Sequence, residues 1–272
     1  MLPLRHGVRA RQVWRYRHLL VQLAKRDLTA RYKNSVLGVV WSLLHPFLMM
    51  MILAAVFSYV GRFNEGIPHY PAYILCGYLP WIFLATSLST SVRSVVDAAN
   101  LMHKVAFPRE VLPLSVVLSN LVNFLLALLP LMGYLAFSGI TPGFQLITLP
   151  GIILCQVILL SGLAMFLSAA NVYARDVGVI LEVALFGWFY LCPVFYAPQM
   201  ILETAPPQAA VAYFLNPMAT IMVLYRAALM NTPTPAFDMR LWGGIAFIVS
   251  CAVLVGGGCF FSWRQRYFVE EL

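Results

Sequence analysis

Side chains able to do chemistry are sparse in this sequence and widely scattered. Five cysteines (Cys76, Cys155, Cys192, Cys251, Cys259) stand apart in apolar runs with no CxxC pair. That placement suits small buried apolar residues better than metal or redox ligands. Five histidines (His6, His18, His45, His69, His103) are equally isolated, so no metal site is expected. No Gly-rich phosphate loop of the GxxxxGKS/T kind occurs, so ATP hydrolysis by this chain is not expected. The acidic residue inside an apolar run is Glu182, about one turn after Arg175-Asp176. Charge at membrane depth is expensive and usually functional, but one carboxylate without a deep cationic partner is too little for ion coupling. The driving energy is therefore expected from outside the chain. Glu182 reads as a packed or interface-facing residue, with a proton relay as the alternative.

The elements that carry these residues are apolar. Apolar residues make up 61% of the 272 and charged ones 10%, far from a soluble domain. A hydrocarbon core about 30 Å thick needs about 20 apolar residues in a helix. The qualifying runs are Val36–Val60, Tyr70–Val92, Val111–Phe137, Leu149–Tyr173, Val177–Ala197 and Leu241–Trp263. Between them no stretch is long enough for a separate soluble core. The fold expected is all-α, an integral membrane protein of six transmembrane helices. Residues 1–35 form an N-terminal segment and 36–272 the spanning domain. A signal peptide is not expected, because Arg5 to Lys33 has no apolar h-region and no small-residue cleavage site.

Nine of the eighteen Lys and Arg residues lie between Arg5 and Lys33, directly before the first run. With that leader inside, fifteen of the eighteen fall in cytoplasmic segments, leaving Arg62, Arg226 and Arg240 opposite. Positive charge is retained on the cytoplasmic side, which gives six spans with both ends inside. Residues 207–230 are apolar enough for a seventh span, but Asn216-Pro217 interrupts them and Arg226 lies within. Two half-helices, about 207–215 and 217–230, are expected to dip in from the outer face within an outer segment 198–240. Broken backbone at that depth needs cover from protein or a watery cavity. Prolines 198, 206, 207, 233 and 235 punctuate the segment as helix starts and stops.

On a helical wheel, residues 11–28 divide into two arcs. Arg11, Arg15, His18, Gln22, Lys25 and Arg26 share one; Val13, Tyr16, Leu20, Leu23, Ala24 and Leu28 share the other. That pattern predicts an amphipathic interface helix, its apolar side in the acyl boundary and its cations near anionic headgroups. It serves either as a plain topology anchor or as a platform beside a cytoplasmic entrance or partner. The loop 93–110 mixes apolar Leu101, Met102, Val105 and Phe107 with Lys104, Arg109 and Glu110, and Pro108 closes it. A docking helix for a cytoplasmic protein is expected there, with a solvated connector as the alternative. Aromatics crowd the fifth run (Phe186, Trp188, Phe189, Tyr190, Phe195, Tyr196) beyond what an interfacial belt requires. With Trp41 of the first run they read either as interfacial belt and packing or as a passage along which sugar rings slide with few strong contacts. Gly256-Gly257-Gly258 lies inside the last run, where tight helix contact explains it.

The order of these parts resembles a known family. Arg26-Asp27-Leu28-Thr29-Ala30-Arg31-Tyr32-Lys33-Asn34-Ser35-Val36-Leu37-Gly38-Val39-Val40-Trp41 resembles the RDLKxRYKxSxLGxxW element of bacterial polysaccharide-export ABC permeases. Pro46, Gly77-Tyr78-Leu79-Pro80-Trp81 and Tyr173-Ala174-Arg175-Asp176 fit as well. So do Lys104-Val105-Ala106-Phe107-Pro108-Arg109-Glu110, then Leu112-Pro113, and Leu215-Asn216-Pro217-Met218. The resemblance runs from about 14 to 268; the Arg-rich stretch 5–17 has no match. It implies a type-2 ABC permease exporting O-antigen or teichoic-acid-like glycan on an undecaprenyl-diphosphate lipid. It further implies a bacterial inner-membrane homodimer with two copies of a separate ATPase that binds ATP and Mg. No cofactor is expected in this chain, and no nucleic-acid partner.

By the same resemblance, residues 98–110 become a coupling helix seated in the ATPase through Leu101, Met102, His103, Lys104, Val105, Phe107, Pro108, Arg109 and Glu110. Lys25, Arg26, Arg31 and Lys33 are placed to attract the diphosphate or only to anchor the leader. Asn216, Pro217 and Arg226 fall in an outer gate formed by the half-helices. The competing readings are a type-2 ABC permease for a drug or small lipid, an intramembrane enzyme acting on polyprenyl lipids, and an ion-coupled carrier. The enzyme lacks a converging polar cluster, and the carrier lacks intramembrane charge.

Overall fold

The computed structural model describes residues 14–32, 44, 47–49, 51–52, 55–56, 69–104, 107–140, 143–231 and 238–271. The expected first span, with Trp41, lies almost wholly outside the described residues, as do Lys33, Val105 and the leader before Trp14.

Regular structure among the described residues is helical throughout. In chain order the helices are α1 (Arg17–Tyr32), α2 (Tyr70–Ser91), α3 (Ser94–Asp97), α4 (Ala99–Lys104), α5 (Val111–Phe137), α6 (Leu149–Tyr173), α7 (Val177–Tyr190), α8 (Pro198–Thr204), α9 (Pro207–Phe214), α10 (Pro217–Met230), α11 (Met239–Arg264) and α12 (Phe268–Glu271). Short 3-10 segments precede α6 and follow α11. Among the described residues, four helical stretches are long and apolar enough to cross a membrane: Tyr70–Ser91, Val111–Phe137, Gln145–Tyr173 and Met239–Tyr267. A helix suits that task because it satisfies its own backbone groups in hydrocarbon. Prolines in the first turn start α2, α6, α8, α9 and α10, where a missing N–H has no intrahelical partner to lose.

The two half-helices expected at 207–215 and 217–230 correspond to α9 and α10, bent by 78° at the break. Pro217 holds the residue before it out of the helical region, and Asn216 is extended with ψ 107°. Its side chain then caps α10, Oδ1 accepting from Met218 N–H at 3.1 Å.

The fifth apolar run is shorter as a helix than its composition predicts. α7 has 14 residues, about 21 Å at 1.5 Å per residue, against a core of about 30 Å. It stops at Tyr190 instead of running to Ala197 because Pro193 cannot continue a helix. The carbonyls of Val194, Phe195 and Tyr196 are then taken by side chains from other helices.

Helix α2 is the axis of the bundle, packed by α5, α6, α10 and α7. Phe83 stacks on Phe124 at 5.0 Å, and Phe124 meets Tyr225 edge-on at 5.8 Å. Fully buried Gln156 ties three of these helices: its Nε2 donates to Pro80 O at 2.8 Å and its Oε1 accepts from Tyr225 Oη at 2.9 Å. The most extensive helix pairing is α6 with α11. A Cβ at Gly162 would lie 2.5 Å from the Val253 carbonyl, and one at Gly257 would collide with the Gly162 carbonyl. Between membrane helices, close backbone approach at small residues is the main attraction. The tight contact expected of the triple glycine is thus made at Gly257, while Gly256 meets nothing within 4 Å.

A second apolar cluster lies at the opposite end of the bundle from the Asn216 turn. It gathers Leu23, Val95, Val111, Leu112, Met165, Ala169, Val172, Phe261 and Phe268. This end carries α1, α3, α4 and α12 and is called the leader end below.

Candidate functional site

At the Asn216 end, a buried arginine organises three segments. Arg226 is 2% exposed. Its Nε donates to Tyr73 O at 3.1 Å, Nη1 to Tyr73 Oη at 2.9 Å and Nη2 to Val194 O at 2.8 Å. The guanidinium carbon lies 3.6 Å from the Tyr73 ring centroid, within cation–π range. Among the described residues no carboxylate pairs with Arg226; Arg26–Asp27 is the ion pair found there. Solvation of this cation comes from two carbonyls, one phenol and one π-face. Gly77 makes room, because a Cβ there would sit 2.5 Å from Nη2.

Hydroxyls extend the network. Tyr70 Oη donates to Phe195 O and Tyr73 Oη to Tyr196 O, both at 2.9 Å. The Tyr196 and Tyr213 hydroxyls lie 2.8 Å apart, joining the 191–197 turn to α9. Trp188 Nε1 donates to Asn216 Oδ1 at 3.1 Å, so Asn216 holds α7 and the start of α10 together. Asn216→Ala removes both the cap and the indole's acceptor. A loss of about 1–2 kcal/mol is expected, read as a lowered midpoint of thermal unfolding in detergent, with Asn216→Asp losing less.

The aromatic residues expected to line a passage separate into two groups. Trp188 and Phe189 are half-buried against Trp81, at 6.2 and 5.3 Å, and Tyr196 sits in the hydroxyl network. Phe186 and Tyr190 are exposed and meet edge-on at 5.3 Å. They share the outward face of α7 with Val179, Ile180, Val183 and exposed Glu182.

At the leader end, Lys25 and Arg26 are exposed on α1, and Arg26 pairs with Asp27 at 3.2 Å. The side chain of Arg31 lies outside the described residues. Leu23 and Ala24 are buried, Leu23 within the second cluster. At those residues the apolar arc meets protein, where acyl chains were expected, because α1 packs along α5.

The loop places Leu101, Met102 and Phe107, half-buried, against that same cluster. Lys104 is exposed, Pro108 half-buried, and the side chain of His103 lies outside the described residues. Arg109 and Glu110 turn toward the C-terminal segment. Glu110, 4% exposed, accepts at Oε1 from Gln265 Nε2 at 3.0 Å. Arg109 Nη1 donates to Gln265 O, and its guanidinium lies 5.9 Å from the Phe268 ring centroid. Burial lowers the Arg109 pKa from the ordinary arginine value, and the neighbouring Glu110 charge opposes the shift.

Tyr73, Gly77, Gln156, Gln265 and Phe268 were missed by sequence reasoning as functional positions. Arg226 and Gln156 did carry a signal, each a polar side chain inside an apolar run that must find internal partners. Tyr73 lies 153 positions from Arg226, and Tyr225 and Pro80 lie 69 and 76 positions from Gln156, beyond what spacing reveals.

The ABC-2 type transporter family matches residues 18–230. The O-antigen export system permease protein RfbA of Myxococcus xanthus is 35% identical over 263 residues, covering 96% of this chain and 98% of that protein. A protein of the same description from Klebsiella pneumoniae is 33% identical over 214 residues, covering 78% of this chain and 80% of its own. Helical packing throughout the described residues, a family match across most of the chain and near full-length similarity to export permeases converge, and the chain belongs to the ABC-2 type transporter family.

Proposed function

We propose that this chain is the membrane-spanning subunit of an ATP-driven exporter that carries undecaprenyl-diphosphate-linked polysaccharide across the bacterial inner membrane. The observation that carries the reading is the similarity to O-antigen export permeases across 96% of the chain. Two copies form the passage between them, and two copies of a separate ABC ATPase sit beneath the leader end. The leader end is cytoplasmic, the Asn216 end faces outward, and six spans cross the bilayer, the first being Val36–Val60. The 191–197 turn after α7 and the bent pair α9–α10 then form the outer rim, held by Arg226 and Asn216.

In the working cycle, ATP binding closes the ATPase pair and displaces the loop 93–110. The spans separate or rotate, and the glycan passes outward in steps along Phe186 and Tyr190. Lys25 and Arg26, exposed on α1, meet the diphosphate at the cytoplasmic entrance together with Arg31 and Lys33. Arg and Lys are suited to that task as charge-assisted donors. The scarcity of acidic residues in the spans agrees with energy supplied by the partner.

Purification of the chain with its cognate ABC ATPase tests the reading. A stable two-plus-two complex that hydrolyses ATP, and that delivers lipid-linked glycan to the outer face of proteoliposomes, is expected. A chain that forms no complex with the ATPase would falsify it.

A further inference from the structure

Residues 265–271 are held against the loop by several independent contacts. Phe268 is fully buried, 5.4 Å from Phe261 and 6.2 Å from Tyr173. Tyr173 Oη donates to Arg264 O at 2.8 Å. The Arg264 guanidinium lies over the Tyr173 and Trp263 rings at 4.5 and 4.4 Å. Gln265 takes the carboxylate of Glu110 through its side chain and the guanidinium of Arg109 through its backbone carbonyl. A buried carboxylate is costly unless hydrogen-bonded, so Glu110 holds Gln265 in place. Helix α12 also packs directly on α4 and α6.

Resting on the function proposed above, we infer that the C-terminal segment Gln265–Glu271 is a working part of the ATPase-coupling element. The Arg109–Glu110 pair ties the segment to the start of α5 and α12 rests on α4, so displacement by the ATPase is delivered to α11 as well as to α2 and α5. A push on α3 and α4 alone reaches α2 and α5 through the chain itself. It reaches α11 through Glu110, Gln265 and Phe268. From α11 it passes to α6 at the Gly162–Gly257 contact, where the backbones touch.

The composite surface also fits its partner. Arg93, Asp97, Asn100, Lys104, Arg266, Tyr267 and Glu271 are exposed around the buried clamp. Both charge signs surrounding one aromatic residue suit a folded protein surface better than a bare phosphate or a lipid headgroup.

The test uses the full-length chain with its ATPase, as wild type, Gln265→Ala and Phe268→Ala, in proteoliposomes. A spin label on the exposed Cys259 of α11 reports movement of that helix, alongside glycan export. In wild type, ATP is expected to change the label's mobility. In Gln265→Ala, the complex forms, the ATP-dependent signal is lost and export falls about tenfold, as for a mutated coupling path. Phe268→Ala is expected to behave likewise; if it fails to fold, Gln265→Ala decides alone. Wild-type signal and export in Gln265→Ala overturn the inference and leave the exporter reading intact. No complex already in the wild type removes both.

Discussion

Replacing Tyr73 with leucine is expected to destabilise the folded chain by about 3 kcal/mol, the scale for a buried charge that loses a partner. Tyr73 gives Arg226 both a π-face and a hydroxyl acceptor. Its loss leaves Nη1 unpaired in a site where no described carboxylate reaches it, and the Tyr196 carbonyl loses its donor. Arg226→Met alone should cost less, because it removes the expensive charge together with its bonds. The double variant, Tyr73→Leu with Arg226→Met, is therefore expected to recover part of the single Tyr73 loss. Thermal unfolding in detergent measures all three. Maleimide labelling of Cys192, fully buried in the neighbouring turn, reports whether the network has opened. A Tyr73→Leu protein with wild-type melting and a protected Cys192 would show that Arg226 does not depend on the tyrosine.

The second large effect concerns the α6–α11 crossing. Gly257→Val is expected to cost at least about 3 kcal/mol, at or beyond the upper end of ordinary overpacking. The atoms a side chain meets there are the backbone of Gly162, which cannot rotate aside. Gly162→Ala should also be severe, since its Cβ meets the backbone of Val253 and Leu254 at 2.5 and 2.6 Å. Gly256→Ala, one position away with open space around it, supplies the control and should melt as wild type. Equal melting of Gly257→Val and Gly256→Ala would mean that the crossing tolerates separation.

Much of the bundle was readable from composition, because four apolar runs have nothing to do but form long helices. The break at Asn216-Pro217 was readable too, from the chemistry of proline and the cap. Val177–Ala197 was misjudged in length for a related reason. Hydropathy measures the apolar character of Leu191–Ala197 but not the departure from helix that Pro193 imposes. The loop 93–110 shows another limit. Leu101, Met102 and Phe107 announce an apolar surface, but only the fold shows that it packs against the chain's own second cluster. Long-range partnerships were invisible for the same reason. Arg226 stands out as a cation in an apolar segment, yet nothing in its neighbourhood points to Tyr73 or to a carbonyl freed by Pro193.

That carbonyl has a bearing on how such chains diversify. Arg226 is bound to α2 and to the turn after α7, and Tyr70 and Tyr73 return the contact through carbonyls of that same turn. The stretch 198–230 is therefore not a cassette that can be exchanged between relatives on its own. A chimera that imports it without residues 70–77 and 191–197 inherits a buried cation with foreign partners. Recombination that exchanges this stretch must carry these three pieces together, although more than a hundred residues separate the first from the others in the chain.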